Sequence, residues 1–243
     1  MRDSRTVRAD EAASIEEPKT LVEAAYFRLR RDIIEGLHPP GEKLRVEHLK
    51  DQYEVGAGTL REALLLLVTD ALVVAQGQRG FRVAPISIAD CEDISHTRVL
   101  LETEALRQSI AHGDDAWEAN LVASFHRLTR AEQKLTDSDS TTTEDWERCN
   151  RAFHEALTAA SHSRWIRHFQ NILYQQSERY RRLSLFRQPI TRDIHAEHHA
   201  LFDATLSRNA VRACSILSEH ILRTLDAVQR LPLEFFSNGS PRR

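Results

Sequence analysis

The sequence of 243 residues lacks any apolar run near the roughly 20 residues that a membrane-spanning helix needs. Met1 to Pro18 are polar and charged, so we expect no secretory signal. The three cysteines, Cys91, Cys149 and Cys214, are odd in number and far apart, so we expect reduced thiols in a cytoplasmic protein. The formal net charge is only -3, so any nucleic-acid-binding surface must be a local patch.

Three helices followed by a hairpin are predicted in the first third of the chain. A capping box at Thr20 and Glu23 starts the first helix, and Gly36 can end it. The period then changes from helical to alternating, as expected for two short strands. The predicted helices span 20–36, 46–53 and 59–70, and the predicted strands span 72–75 and 80–84. This order is typical of a winged helix-turn-helix domain.

Several polar residues of this region stand where such a domain would contact DNA. Thr59 and Arg61 lie near the start of the third helix, where a recognition helix touches base edges. Gln78, Arg79 and Gly80 form the hairpin tip, which can reach a groove or phosphates. The alternative is that these are ordinary solvated residues on a small helical domain, because short helix-turn-helix signals are not very specific.

From Ser87 onward the pattern is helical throughout, and another capping box at Ser87 and Asp90 begins it. The predicted helices span 88–112, 115–136, 143–160, 163–186, 191–207 and 209–229. We therefore expect an antiparallel helical bundle, and a mainly α fold class for the whole chain. The four expected segments are a disordered tail, the winged domain, the bundle and a flexible tail, at 1–18, 19–86, 87–230 and 231–243.

Polar residues interrupt the apolar stripes of four bundle helices: Arg98, Asn150, His154, His198 and His220. Burying a neutral polar group without a partner costs about 1–3 kcal/mol, so such departures in four helices indicate one polar cavity. Three imidazoles and an amide oxygen form a plausible site for Zn, Ni, Fe or Mn with open positions. Arg98 can add a fork for the carboxylate of an effector.

Simpler interpretations of these residues stay open. A single inward histidine is more often a hydrogen-bonded core residue than a metal ligand. Arg98 can equally form a buried structural pair with Glu102 or Glu104. His195 and His199 flank His198 on the same helix but should point away from its stripe, so we expect them at the surface.

The N-terminal motif resembles the GntR family of regulators. The residues that carry the resemblance are Tyr26, Leu29, Ile33, Gly36, the run Pro40-Gly41-Glu42-Lys43-Leu44-Arg45, the run Leu60-Arg61-Glu62-Ala63-Leu64 and the run Arg79-Gly80-Phe81-Arg82-Val83. The C-terminal half resembles the FCD ligand-binding domain of the FadR-type subgroup. Together the two cover about residues 20–228. The resemblance implies a homodimeric transcription regulator that binds double-stranded operator DNA and is not an enzyme.

The resemblance also implies a ligand set. Asn150, His154, His198 and His220 fall on the metal-site positions of FCD domains, and Arg45 can hold a DNA phosphate. Residues 42–45, 55–64 and 115–119 look like those of CsiR-like repressors, which control glutarate and 4-aminobutyrate catabolism. We therefore expect a repressor of a catabolic operon, released by a small carboxylate such as glutarate and holding a divalent transition metal.

Two departures from the family pattern matter. Most members carry Ser-Arg-Thr-Pro where this sequence has Gly56, Ala57, Gly58 and Thr59, so an arginine that commonly reads guanine is replaced by Ala57. A bidentate arginine–guanine contact is worth about 1–3 kcal/mol of discrimination, so the operator should differ from the family consensus. Asn150 stands where many FCD domains have Asp, so we expect weaker metal binding.

Three other functions remain open from sequence. A metalloregulator would respond to the metal itself. A metal-dependent enzyme would use His154, His198 and His220, but the stripes supply no carboxylate well placed as a general base. Activation of transcription, in place of repression, is not decided by the sequence.

Overall fold

The structure, a computed structural model, describes residues 18–135, 140–187, 193–232 and 235–236. It divides into two compact units, Met1–Ala84 and Pro85–Arg243. The predicted tail 1–18 lies almost wholly outside the described residues, and so does most of the predicted tail 231–243. Within the latter, Leu231 is buried and Phe236 packs against the Ile86–Tyr180 cluster of the second unit.

The first unit combines three helices with a small sheet. Its elements are α1 (Leu21–Ile34), β1 (Lys43–Leu44), α2 (Val46–Gln52), α3 (Ala57–Thr69), β2 (Val73–Ala75) and β3 (Phe81–Val83). Thr20 caps α1 by accepting a hydrogen bond from the Glu23 backbone amide. Gly36 follows with a φ of 82°, the left-handed conformation expected at the end of this helix.

The winged hairpin belongs to a three-stranded antiparallel sheet of order β1-β3-β2. Val74 pairs with Arg82, and Lys43 pairs with Arg82 from the other side. Strand β1 was not predicted, because two residues are too few for an alternating pattern to be recognised. Gly77 and Gly80 turn the hairpin with positive φ angles of 53° and 88°, which a side chain would strain.

The core of the first unit lies between α1, α3 and the sheet. Leu29, Leu60, Leu64, Leu67 and Leu72 are fully buried there. Helix α3 starts at Ala57, two residues earlier than predicted. Gly56 takes the extended N-cap conformation, so the helix begins without a side-chain cap.

The second unit is an all-helical bundle. Its helices are α4 (Ile88–His112), α5 (Asp115–Glu132), α6 (Ser140–Thr158), α7 (Arg164–Arg187), α8 (Ile194–Leu206) and α9 (Ala210–Gln229). Each matches a predicted helix, with ends that shift by a few residues. The mainly α fold class is confirmed. In the part of the chain that the structure describes, no helix is long and apolar enough to cross a membrane.

Short polar caps set the ends of these helices. Ser87, Asp114, Asp193 and Asn209 each accept a hydrogen bond from a backbone amide of the first turn. The predicted box at Ser87 differs in one respect. Its second partner, Asp90, accepts from Tyr180, whose hydroxyl in turn accepts from the Ser87 backbone amide. Tyr180 thereby ties the start of α4 to α7.

The bundle interior is partly apolar and partly polar. The apolar region includes Leu106, Leu121, Trp146, Phe153 and Leu201. Helix α4 packs against α7 and α9, α5 packs against α6, and α8 packs against α9. Polar residues of α4, α6, α7, α8 and α9 fill the rest of the interior, which is the feature that positions the candidate site.

The turn between α4 and α5 gives a prediction about stability. A methyl group on Gly113 would collide with the indole of Trp117, which is buried and donates a hydrogen bond to the Ala156 carbonyl. Gly113→Ala should lower the free energy of unfolding by about 1–3 kcal/mol, because the packed indole must move. Urea denaturation followed by far-UV circular dichroism measures this change.

Gly58→Ala is the matched control. Gly58 lies in α3 with no atom near the position of an added Cβ, and alanine favours the helix. Its stability should be unchanged or slightly higher. A loss at Gly58 as large as that at Gly113 would contradict the steric explanation.

Candidate functional site

A basic groove crosses the face of the first unit. It has a volume of about 480 Å³ and lies between the start of α2, the start of α3 and the wing. Four of the residues predicted to contact DNA line it: Arg45, Arg61, Arg79 and Gly80. The three arginines among them are exposed.

The other two predicted contacts are placed differently. Thr59 lies in the first turn of α3 but does not line the groove. The backbone of Gln78 belongs to the turn of the wing, and its side chain lies outside the described residues. Lys43 and His48 also line the groove, although the sequence analysis did not name them as DNA contacts.

Three imidazoles meet inside the second unit. His154 of α6, His198 of α8 and His220 of α9 are buried, and one nitrogen from each lies within 4.8 Å of the other two. The ring centroids of His198 and His220 are 4.8 Å apart, and those of His154 and His220 are 5.2 Å apart. The separate sequence stripes therefore converge in space.

Two glutamates fix which face two of these imidazoles present. Nδ1 of His198 lies 2.6 Å from Oε1 of Glu132, and Nδ1 of His220 lies 2.8 Å from Oε2 of Glu197. A carboxylate accepts hydrogen bonds, so each Nδ1 carries the proton and each Nε2 keeps its lone pair. Nε2 of His198 is buried with no hydrogen-bond partner among the described residues.

Asn150 completes the donor set. Its Nδ2 donates a hydrogen bond of 2.8 Å to the hydroxyl of Tyr174. This leaves Oδ1 of Asn150 buried with no hydrogen-bond partner in the described part of the chain. Nδ1 of His154 is also buried without a hydrogen-bond partner there. Orphaned acceptors of this kind are costly unless a cation or donor meets them, so the residues fit a divalent metal.

The electrostatics of the site favour ligation by neutral imidazoles. Burial, together with the nearby His220, His198, Arg98 and Arg181, lowers the pKa of His154 well below its usual value. A neutral imidazole is the form that binds a metal. Burial also raises the pKa of Tyr174 well above its usual value, so its hydroxyl stays protonated.

Arg98 lies beside the imidazoles, and it is paired. Its Nε donates to Oε1 of Glu102 at 2.6 Å, and its Nη1 donates to Ser177 at 2.7 Å. The structural pair that the sequence left open therefore exists, and it is made with Glu102. Arg98 also lines the same cavity as the three histidines.

A second buried guanidinium was missed by the sequence. Arg181 of α7 forms two hydrogen bonds with Glu147, of 3.0 and 2.8 Å, and both side chains are buried. Arg181 also lines the cavity of the three histidines. The sequence of α7 shows no apolar stripe that a buried arginine could interrupt. Its polar residues are buried on nearly all sides of the helix: Gln176, Ser177, Glu178, Arg179 and Arg182.

The cavity at the imidazoles is small. Its volume of about 10 Å³ is roughly the space of one water molecule. A larger cavity of about 300 Å³ lies on the other side of His154 and is lined by Glu102, Glu155, Thr158, Arg167 and Tyr174 among others.

His195 and His199 are both about half exposed, as the sequence predicts. His195 nevertheless takes part in the site from outside. Its Nδ1 lies 2.6 Å from Oε2 of Glu132, the carboxylate whose other oxygen holds His198.

Comparison with known proteins agrees with both halves of this description. The family described as "Bacterial regulatory proteins, gntR family" matches residues 21–83, and the FCD domain matches residues 93–223. The chain belongs to the GntR family. It is a transcriptional regulator with an FCD effector-binding domain and not an enzyme.

Two relatives of this GntR regulator are similar over most of their length. The uncharacterized HTH-type transcriptional regulator BphR of Paraburkholderia xenovorans (strain LB400) is 46% identical over 215 residues, 88% of each chain. The HTH-type transcriptional repressor GlaR of Escherichia coli (strain K12) is 34% identical over 209 residues, 84% of this chain and 94% of GlaR.

A solved structure supports the fold. E. coli McbR/YncC has a TM-score of 0.70 with this regulator at 19% sequence identity. The match covers 87% of this chain and 98% of McbR/YncC. At this level of sequence identity the comparison shows a similar fold for the winged domain and for the helical domain.

The glutamate behind His198 gives a prediction for this regulator. Glu132→Gln should weaken the binding of Zn²⁺ about 10- to 100-fold, because the neutral amide removes the negative charge that makes the imidazole of His198 a stronger metal ligand. Competition with a chromophoric chelator measures the affinity. Glu219→Gln is the control, since Glu219 lies next to His220 in sequence but is exposed and contacts Ser215 and Arg223.

Equal effects of the two substitutions would contradict a specific role of Glu132. An unchanged affinity in Glu132→Gln would mean that the imidazole of His198 does not need its carboxylate partner.

Proposed function

We propose that this regulator is a cytoplasmic, homodimeric repressor of a catabolic operon, and that a small carboxylate effector releases it from DNA. The single observation that carries the proposal is the buried cluster of three imidazoles and Asn150, with orphaned acceptor atoms and two guanidiniums beside it. Such a cluster is costly for stability alone, so a ligand is expected to repay it.

In the proposed complex the first unit binds the operator through its basic groove. Arg61 and Thr59 at the start of α3 contact base edges, Arg79, Gly80 and Gln78 of the wing reach the neighbouring groove, and Arg45 holds a phosphate. Because Ala57 cannot form an arginine–guanine fork, Arg61 and the wing carry more of the recognition. A homodimer would read a palindromic operator, with the half-site spacing set by the dimer.

A divalent transition metal, such as Zn, Ni, Fe or Mn, would be held by Asn150, His154, His198 and His220. The metal would supply a positive centre that attracts an anion. All four protein ligands are neutral, so the charge of the cation is compensated only from behind, by Glu132 and Glu197. A carboxylate effector therefore meets a favourable potential, to which Arg98 and Arg181 add.

Two further observations support the direction of regulation and the effector class. GlaR, which is similar over most of its length, is named a repressor. The resemblance to CsiR-like repressors makes glutarate the first carboxylate to test. Release from DNA requires that the effector bind the DNA-free conformation more tightly than the DNA-bound one.

The second candidate function is a metalloregulator. The small volume at the imidazoles, about 10 Å³, favours it, because a metal and about one water molecule would fill that space. In this case the metal alone would change the affinity for DNA.

A thermal-shift screen separates the two candidates. Metal-free and Zn²⁺-loaded protein are heated with acetate, succinate, glutarate, adipate and 4-aminobutyrate. A ligand at 100 times its Kd should add about 2.7 kcal/mol of stability. A shift with a carboxylate, followed by loss of DNA binding in an anisotropy assay, supports the carboxylate repressor. A shift and a change in DNA affinity with metal alone favour the metalloregulator.

The groove gives a prediction about DNA binding. Arg61→Ala should weaken binding to an operator selected from random duplexes by about 1–3 kcal/mol and relax its sequence preference. Fluorescence anisotropy at several salt concentrations measures both changes. Arg107→Ala is the control, since Arg107 is an exposed arginine of the helical unit that pairs with Glu104. A uniform loss for all sequences would reassign Arg61 to a phosphate contact.

Asn150 gives a prediction about the metal. Asn150→Asp should tighten Zn²⁺ binding at least tenfold, because a carboxylate adds a negative charge directly at the cation. The hydroxyl of Tyr174 can rotate to donate to this carboxylate, so the substitution fits the same space. Chelator competition measures the affinity, with Asn171→Asp, an exposed residue of α7, as the control. An unchanged affinity would remove Asn150 from the ligand set.

A further inference from the structure

The larger cavity of the second unit has a polar and deeply buried floor. Its volume is about 300 Å³, which suits a small organic molecule. The floor is formed by Glu102, His154, Thr158 and Tyr174, which are all buried. The rim is formed by exposed or half-exposed residues: Glu155, Ala159, Arg167, Gln170 and Asn171.

His154 separates this cavity from the imidazole cluster. It lines both the larger cavity and the small one at His198 and His220. Nδ1 of His154 is buried with no hydrogen-bond partner among the described residues, in contrast to Nδ1 of His198 and of His220, which each have a glutamate. When a metal takes one nitrogen of His154, the other keeps a proton that needs an acceptor.

Tyr174 is the second donor without an acceptor. Its oxygen accepts a hydrogen bond from Nδ2 of Asn150, and no residue in the described ranges accepts its own proton. A tyrosine hydroxyl carries one proton to donate besides the lone pair that accepts from Asn150. Two buried donors, on Tyr174 and His154, thus belong to one cavity and lack a partner there.

We propose that the carboxylate effector binds in this larger cavity, outside the coordination sphere of the metal, and accepts hydrogen bonds from Tyr174 and His154. This inference rests on the proposed function and specifies where and how its effector is recognised. The space at the imidazoles, about 10 Å³, is too small for an organic acid, whereas the cavity of about 300 Å³ is not.

Three guanidiniums lie around the ring of Tyr174, with the carbon of Arg181 at 4.7 Å, that of Arg98 at 5.5 Å and that of Arg151 at 5.8 Å from the ring centroid. These basic groups are each paired with a glutamate: Arg181 with Glu147, Arg98 with Glu102 and Arg151 with Glu155. Glu102 and Glu155 also line the cavity, so the acid would be held by hydrogen-bond donors and by Arg167 at the rim. At the rim, Arg167 and the amides of Gln170 and Asn171 offer donors for a second polar group. The cavity therefore fits an elongated acid with polar groups at both ends.

The same contacts couple the effector to the metal. With Oδ1 of Asn150 on the cation, its Nδ2 must face Tyr174, so the hydroxyl must donate into the cavity. Without the cation the amide can turn over and accept from Tyr174, which removes one donor from the effector site. Metal binding should therefore tighten carboxylate binding although the two do not touch.

The coupling also gives Asn150 a role that Asp could not fill. In Asn150→Asp the hydroxyl of Tyr174 would donate to the new carboxylate and be lost to the effector. The substitution should thus tighten the metal and weaken the effector.

The test uses the full-length protein loaded with Co²⁺ and titrated with glutarate, succinate, adipate and acetate by calorimetry. The visible bands of Co²⁺ report any new ligand in its coordination sphere. Tyr174→Phe should weaken the carboxylate that binds best roughly ten- to a hundredfold, the effect of one hydrogen bond to a charged group. That carboxylate should leave the Co²⁺ bands of the wild type unchanged.

Two further variants make the result specific. Asn150→Asp should weaken the same carboxylate while binding Co²⁺ more tightly. If Tyr174→Phe does not fold, the Co²⁺ bands of the wild type decide, because a carboxylate in the larger cavity leaves them unchanged. Tyr180→Phe is the matched control, a buried tyrosine of the same helix whose hydroxyl donates to Asp90. It should bind the carboxylate as the wild type does.

The outcomes separate the inference from the proposed function. Carboxylate binding that changes the Co²⁺ bands and is insensitive to Tyr174→Phe would overturn the inference and leave carboxylate sensing intact. Failure of all four acids to bind the loaded wild type would contradict carboxylate sensing itself. Equal weakening by Tyr174→Phe and Tyr180→Phe would also overturn the inference.

Discussion

The hydrogen bonds from Nδ1 of His198 to Glu132 and from Nδ1 of His220 to Glu197 are the contacts on which the polar centre of the helical unit depends. Each carboxylate accepts the hydrogen bond of an Nδ1–H group and so turns an Nε2 lone pair toward the interior. A bundle built for stability alone would place apolar side chains here. The cost of these polar groups is understandable only if something that enters the bundle interacts with them.

The same constraint extends along a short chain of contacts. His154 has no carboxylate partner, and Tyr174 receives a hydrogen bond from Asn150 but gives none to a described residue. His154 lines both the small cavity and the larger one, and Tyr174 lines the larger one. The unsatisfied atoms thus form a continuous path from a metal-ligating centre to a space that can admit an organic acid.

The DNA-binding unit is simpler in physical terms. Its apolar core is formed by leucines of α1 and α3 and by the sheet, and its basic side chains stand on one face. The strands and turns of the wing serve to bring Arg79 and Gly80 beside Arg45 and Arg61. A chain of net charge -3 can therefore still present a local positive surface.

The sequence by itself determined the order of helices, the winged hairpin and the three histidines, because periodicity, caps and turn residues are local signals. It did not reveal β1, which is too short for a pattern, or Arg181 and Glu147, which lie in polar helix faces that look solvent-exposed. Only the tertiary structure decided that Arg98 pairs with Glu102, that Glu132 serves both His195 and His198, and that Tyr174 meets Asn150. Some of these contacts join residues of different helices, and in others a side chain has several possible partners. Which contact forms depends on how the helices pack.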